Sequence, residues 1–244
     1  MDTKYSYSEI EIKLGTELTE EEKNIISEVS KIYSEDYGYW TTGDKVRISP
    51  KSFLILHKGS KLWIAKKDSE IIGFCITKGR GNDILITSEC IKKEYRNTGV
   101  FKGLISYILG NKNQLRLGVI SKNPIVLWTL ETTNPDMSYI DLDSEISRDS
   151  KFGVSLSIFI DDFRRRSYGI LKVPYKRAGE INYKKLETGF FIQTPESELL
   201  TGCKDLGQFY TNLMGELGDY EEWLLFVKYD RTRPEDNTLE EDKK

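Results

Sequence analysis

The 244-residue sequence has little of several things: one histidine, three cysteines, six prolines and a formal net charge of only −3. Each scarcity excludes something. The single histidine, His57, closes the run Phe53-Leu54-Ile55-Leu56-His57 after Ser49-Pro50. With no second histidine or cysteine beside it there is no metal site, and it reads as a surface or half-buried helix residue without a role. Cys75, Cys90 and Cys203 are odd in number and lack paired ligand spacing. Cys75 and Cys90 sit in apolar strand-like runs, where a free thiol in a reducing compartment behaves as a small hydrophobe. A near-neutral balance gives neither the basic footprint of a nucleic-acid binder nor the charge excess of a disordered polyelectrolyte. No apolar run approaches the roughly 18 residues of a membrane helix, and Met1 to Glu9 lacks the basic start and apolar centre of a signal peptide. The expectation is a cytoplasmic protein without nucleic-acid or membrane partners.

What is present is patterned. Ser6 to Lys13 alternates with the two-residue period of a half-buried strand. Thr19 opens a capping box with Glu22, and Ile25, Ile26, Val29, Ile32 and Tyr33 recur at helical spacing, which predicts a helix over about residues 19–35. Ser49-Pro50 starts a short second helix. Leu62 to Lys66, Ile71 to Thr77 and Ile84 to Ile91 are β-rich runs with short connections, hence an antiparallel meander. A helix from Val100, a strand from Leu115 to Ile120 and a helix opened by Asn123-Pro124 follow. This order predicts an α/β (α+β) fold, a mixed, mostly antiparallel central sheet covered by helices.

The C-terminal third is less regular. Val154 to Ile160 is apolar and β-branched, Arg164 to Arg166 form a basic cluster, Leu206 to Leu217 describe a helix face, and Trp223 to Val227 is strand-like. One compact domain over residues 1–230, with a core at 5–135 and an extension at 136–230 that completes the sheet, is expected to precede a disordered tail at 231–244. A second domain from about Asp149 is the alternative.

The chemically informative stretch is Ile84 to Ile91 followed by Lys92-Lys93-Glu94-Tyr95-Arg96-Asn97-Thr98-Gly99-Val100-Phe101-Lys102-Gly103-Leu104. A strand enters a glycine-containing loop that turns at once into a helix. Backbone N–H groups over residues 97–102 then lack intrahelical partners at the positive end of the helix dipole, an arrangement suited to a pyrophosphate. Arg96 and Lys102 could add charge, and Gly99 could adopt a positive φ. Gly-Lys-Ser/Thr is absent, as are the three glycines of a dinucleotide loop.

This passage resembles the coenzyme A loop of the GNAT acetyltransferase superfamily, in which a strand ends in an Arg/Gln-x-x-Gly-x-Gly/Ala signature preceded by a Tyr-Arg pair. Tyr95-Arg96-Asn97-Thr98-Gly99-Val100-Phe101 carries the arginine and first glycine, with Phe101 at the second small position. The resemblance covers about residues 5–135 and implies a GNAT-like fold, acetyl-CoA or another acyl-CoA as cofactor, and an amine of a small molecule or protein as acceptor. It leaves a homodimer open. It also implies pantetheine pairing at Glu89 to Ile91, an oxyanion donor from the backbone at Cys90 or Ile91, phosphate contacts from Arg96, Asn97, Thr98, Gly99, Val100, Phe101 and Lys102, and a contact from Asn123. The expected base is a carboxylate, Glu89 first and Asp83 second. A regular strand would place positions 83, 85, 87, 89 and 91 on one face, and a bulge is needed before both carboxylates work together. The tyrosine that often protonates the leaving thiolate is replaced by Leu130, with Trp128 near and Tyr139 a candidate substitute.

The acceptor site would lie across the sheet split from the cofactor, and Tyr37, Tyr39 and Trp40 offer it an aromatic wall or else fill the core. The readings left open are an N-acetyltransferase, a catalytically inactive acyl-CoA sensor or interaction module, and an unrelated α/β domain.

Overall fold

The computed structural model of the protein describes residues 5–13, 17–36, 39–40, 45–110, 112–171, 185–187, 190–191, 201–214, 216–217 and 221–231. The elements in chain order are β1 (Ser6–Ile12), α1 (Glu20–Asp36), β2 (Tyr39–Trp40), α2 (Pro50–Leu56), β3 (Ser60–Lys67), β4 (Glu70–Arg80), β5 (Asp83–Ile91), α3 (Val100–Leu109), β6 (Gln114–Ser121) and α4 (Pro124–Thr132). They continue with β7 (Met137–Tyr139), α5 (Leu142–Arg148), α6 (Ser150–Leu171), β8 (Lys185–Glu187), β9 (Phe190–Phe191), α7 (Thr201–Met214) and β10 (Glu221–Asp230).

Local signals act as their chemistry requires. Thr19 and Glu22 exchange the two bonds of the capping box, Glu22 N–H to Thr19 Oγ1 at 3.2 Å and Thr19 N–H to Glu22 Oε2 at 2.8 Å. Ser49 Oγ accepts from Ser52 N–H at 3.1 Å, with Pro50 starting α2 where its missing N–H costs nothing. The main sheet has the order β1-β3-β4-β5-β6-β10-β7, with β8 also on β10, while β2 and β9 form a separate pair. All pairings are antiparallel except β5 with β6. The mixed, mostly antiparallel sheet read from the element order is therefore the one the chain builds.

Helices cover both faces. On one, α3, α4 and α7 pack through Leu104, Ile108, Leu127, Leu130 and Tyr210 onto Ile84, Ile86, Val119 and Leu225. On the other, α1 and α2 pack against β3 to β5, while α5 and α6 pack against β6 and β10. β10 arrives from far along the chain and slots between β6 and β7, pairing Trp223 with Ser121 and Val227 with Tyr139. Its Phe226 ring lies where a Cβ on Gly118 would be, so only glycine at 118 admits it.

The apolar, β-branched run Val154 to Ile160 lies inside α6, because Phe152, Leu156, Phe159, Ile160 and Phe163 recur at helical spacing and bury one face; tertiary packing overrides β-branched propensity. One expectation needs correcting. His57 is fully buried rather than half-exposed, its ring 4.6 Å from that of Phe53. Arg164 to Arg166 fall on α6, but their side chains lie outside the described residues, as does most of the aromatic loop at 37–44 and the tail from 232. No described helix is long and apolar enough to cross a membrane.

Candidate active site

The parallel ladder between β5 and β6 runs only from Asp83↔Arg116 to Ile86↔Val119. Beyond it the strands part. The cause is a bulge at Thr87: Ile76 opposes Ser88 and Thr77 opposes Ile86, which leaves Thr87 as the extra residue. Hydroxyls mend the disturbed ladder, Thr87 Oγ1 donating to Ile76 O at 3.3 Å and Ser88 Oγ to Thr87 O at 2.7 Å. On the far side of the gap Ser121 turns to β10 and to Asn123, whose N–H it accepts at 3.1 Å.

The bulge also reverses the faces of β5. Before it Ile84 and Ile86 face α3 and α4, and after it Glu89 and Ile91 do so, Glu89 standing opposite core residue Cys75. Asp83 and Leu85 face the opposite side, as does Cys90, whose thiol packs beneath α1 at 3.9 Å from Ile32 O. The structure therefore does not bring Asp83 and Glu89 together. Asp83 accepts from Arg116 Nε at 2.6 Å, and the same guanidinium donates to Glu145 Oε1 at 3.1 Å and Asp149 Oδ2 at 2.7 Å while lying 4.3 Å over the Phe152 ring. Arg116 holds Asp149 below the usual carboxylate range. Asp83 thus ties β5 to β6 and, through Arg116, to α5 and α6.

Glu89 has a different setting. Lys92 N–H bonds Ile72 O on β4, so alternation along the ladder points the N–H groups of Ile91 and Glu89 away from β4 into the gap. The Glu89 carboxylate folds back onto its own backbone N–H. Burial first, and then the negative charge of Glu222, push this carboxyl up to about 8. Glu222 is 4% exposed at the start of β10.

The loop after β5 makes a 3₁₀ turn over Lys93–Tyr95, passes Asn97 at φ 61° and reaches Gly99 at φ 87°, the left-handed N-cap of α3. No side chain caps α3, and its first internal bond is Gly103 N–H to Gly99 O. The N–H groups of Val100, Phe101 and Lys102 precede that bond at the positive end of the dipole. A Cβ on Gly99 would meet nothing within 4 Å, so the space before the helix is open. Thr98 Oγ1 donates to Tyr95 O at 2.7 Å and accepts from Tyr5, just before β1, at 3.0 Å, which fixes the loop.

Among the solved structures that the chain resembles are acetyltransferases, two of them described as of the GNAT family. An N-acetyltransferase from Staphylococcus aureus Mu50 matches at a TM-score of 0.44 and 8% identity, over 93% of this chain and 97% of its own. A GNAT-family acetyltransferase from Streptococcus pneumoniae matches at 0.36 and 13%, over 55% and 86%. Diaminobutyrate acetyltransferase from Paenibacillus lautus, solved with L-2,4-diaminobutyric acid and coenzyme A, matches at 0.34 and 13%, over 51% and 69%. No family model and no curated protein matches the sequence. These values describe a likeness of fold alone and carry no weight for the activity.

Other expected residues fall into place unevenly. Arg96 is not aimed at the mouth of α3: its Nε donates to Ile91 O at 3.1 Å and its Nη2 to Asp36 O at 3.0 Å, bracing the end of β5 against the end of α1. Lys102 is exposed, and Phe101 leans on the core beside α3. Asn123 Oδ1 caps α4 through Ile125 N–H at 3.0 Å. Leu130 is fully buried among the core side chains. Tyr139 sits on β7 opposite Val227, on the paired side of the sheet and away from the gap. Two groups escaped sequence reasoning. Glu222 was legible only as a carboxylate at the entry to the apolar run Trp223–Val227. Tyr210, fully buried on α7, packs 6.1 Å from the Trp223 ring and donates to Glu131 Oε2 at 2.5 Å. Burial and that bond raise the Tyr210 phenol well above its ordinary range, and no sequence pattern links positions 131 and 210.

Proposed function

We propose that the chain is a cytoplasmic N-acetyltransferase that transfers an acetyl (acyl) group from acetyl-CoA, or another acyl-CoA, to a primary amine of a small molecule or protein by direct attack. The observation that carries this reading is the gap between β5 and β6, which opens beside the uncapped, unobstructed N-terminus of α3. The residues present fit the group. The N–H groups of Val100, Phe101 and Lys102 suit a pyrophosphate with Lys102 at the rim, Asn97 and Thr98 shape the approach, and Asn123 flanks the gap from α4. Acetyl-CoA, when bound, supplies the thioester carbonyl.

Each remaining step belongs to the chain. The gap-facing N–H of Ile91 donates to the oxygen on which negative charge develops, in a site where few waters compete. Glu89, directly or through one water, takes the proton that the amine must lose. Because its carboxyl titrates near 8, the base form grows as pH rises through that value. When bound, the cofactor would also supply a thiolate leaving group, which tolerates the lack of an acid. Asp83 is left with the structural role its ion pair describes, and Arg96 with that of a brace.

Leu130, buried where a family tyrosine would stand, favours a second reading: an acyl-CoA sensor or interaction module without turnover. Free-thiol release from acetyl-CoA in the presence of an amine panel separates the two. Amine-dependent release, rising to a plateau above pH 8 in the native chain and losing that limb in Glu89→Gln, supports the enzyme. Tight acetyl-CoA binding with no release from any amine supports the sensor.

A further inference from the structure

A groove of about 440 Å³ runs between the end of α1, at Ser34 and Glu35, and the segment entering α2, at Lys45, Arg47, Ile48 and Ser49. Its walls are tied together: Ile48 N–H donates to Ser34 Oγ at 2.9 Å, and Ser34 Oγ bonds back to Ser30 O at 2.8 Å. Val46 is buried at 1% exposure, and in this extended segment its neighbours Lys45 and Arg47 both turn outward onto the groove. Neither makes an ion pair with any described residue, in contrast to Lys61, Lys78 and Lys92, which all do. Among the described residues Glu35 is the carboxylate that lines the groove, 4.0 Å from Lys31, and the Asp36 carboxyl next to it feels the Lys45 charge. The next residue, Asp36, offers its carbonyl to the Arg96 brace that also holds Ile91 O, so the end of α1 that walls the groove is tied to the end of β5, on the face opposite α3.

We propose that this groove seats an anionic group, a carboxylate or a phosphate, on the amine acceptor, gripped by Lys45 and Arg47 while the amine enters the gap. The inference rests on the acetyltransferase reading and narrows its acceptors to amines that carry a negative charge. A cation pair on a walled groove strengthens hydrogen bonds to an anion by charge assistance, and an arginine among them supplies the planar fork that suits either anion.

The test uses matched amines with and without the anion: γ-aminobutyrate against its methyl ester, and glucosamine 6-phosphate against glucosamine. Thiol release from acetyl-CoA by the full chain gives kcat/KM for each. Amide NMR titration with the same four compounds, without coenzyme A, reads binding at residues 45–49 independently of turnover. The expected result is a preference of about tenfold or more for the charged member of at least one pair, shifts at 45–49 with that member alone, and loss of both in Lys45→Gln/Arg47→Gln with acetyl-CoA affinity unchanged. The carboxylate and phosphate arms say which anion is seated. Neutral amines that react equally well, or a preference that survives the double substitution, overturn the inference while the acetyltransferase stands. Should no amine turn over, shifts at 45–49 by an anionic probe keep the groove as an anion site and sink the enzyme, and the absence of shifts sinks the groove as well.

Discussion

Asp83 and Glu89 open and close the same strand, both in protein surroundings, yet their chemistry diverges. Asp83 meets a guanidinium that also serves two other carboxylates. Glu89 is raised to about 8 by burial and by a second carboxylate, Glu222. The difference comes from one inserted residue: the bulge at Thr87 sends the two side chains to opposite faces and parts β5 from β6. Burial alone does not make a base. What surrounds the buried carboxylate decides whether it braces the sheet or holds a mobile proton.

The contrast can be broken by exchange of roles. Glu89→Gln is expected to lower kcat by about 10²- to 10⁴-fold, whereas Asp83→Asn leaves kcat near its native value and lowers the melting temperature; the reverse assignment of losses would undo the comparison. Arg116→Met leaves Asp83 without its cation and Glu145 with Arg148 alone, and is expected to destabilise the fold by about 3–5 kcal/mol, read by urea denaturation. A loss confined to activity would contradict the bracing role.

Smaller effects sharpen it. The Glu89 carboxyl holds its proton to about 8 in the folded chain but only to its ordinary value of 4.5 when unfolded. Between those values the folded state therefore binds more protons, and this residue's contribution to stability falls as pH rises. Glu89→Gln should remove that slope, so the less active variant is the more stable one at pH 8; parallel stability profiles would argue against the raised carboxyl. Glu222→Gln should move the rising limb of turnover toward lower pH by a fraction of a unit, since a negative neighbour is removed. An unmoved limb would show that Glu222 does not reach the site.

Much of the frame was legible. The capping box at Thr19, the proline start at Pro50 and the loop from Tyr95 to Gly99 are local signals, and local physics fixes them. The gap was legible only through the family resemblance, which implied a split sheet. A bulge carries no signature in Ile84 to Ile91 beyond the two hydroxyls Thr87 and Ser88, so its position could not be read, and only a regular strand would set Asp83 and Glu89 on one face. Arg96 looked like a phosphate ligand because its sequence neighbours are the loop, whereas its partners Ile91 and Asp36 are decided by how α1 lies on the sheet. The insertion of β10 between β6 and β7, and the meeting of Tyr210 with Glu131, depend on pairings across long stretches of chain that no short-range pattern encodes.

The central claim is that the gap and the α3 N-terminus together hold an acyl-CoA. Calorimetric titration of the native chain and of Gly99→Glu with acetyl-CoA tests it directly, with circular dichroism to show that both are folded. The Gly99 Cβ position is open, so the first carbon of the new side chain meets no neighbour, although the left-handed backbone adds strain of about 1–2 kcal/mol; its carboxylate is expected to compete with a phosphate. Micromolar binding by the native chain, abolished in the folded variant, is the predicted result. No binding by the native chain, or equal binding by both, would contradict the account.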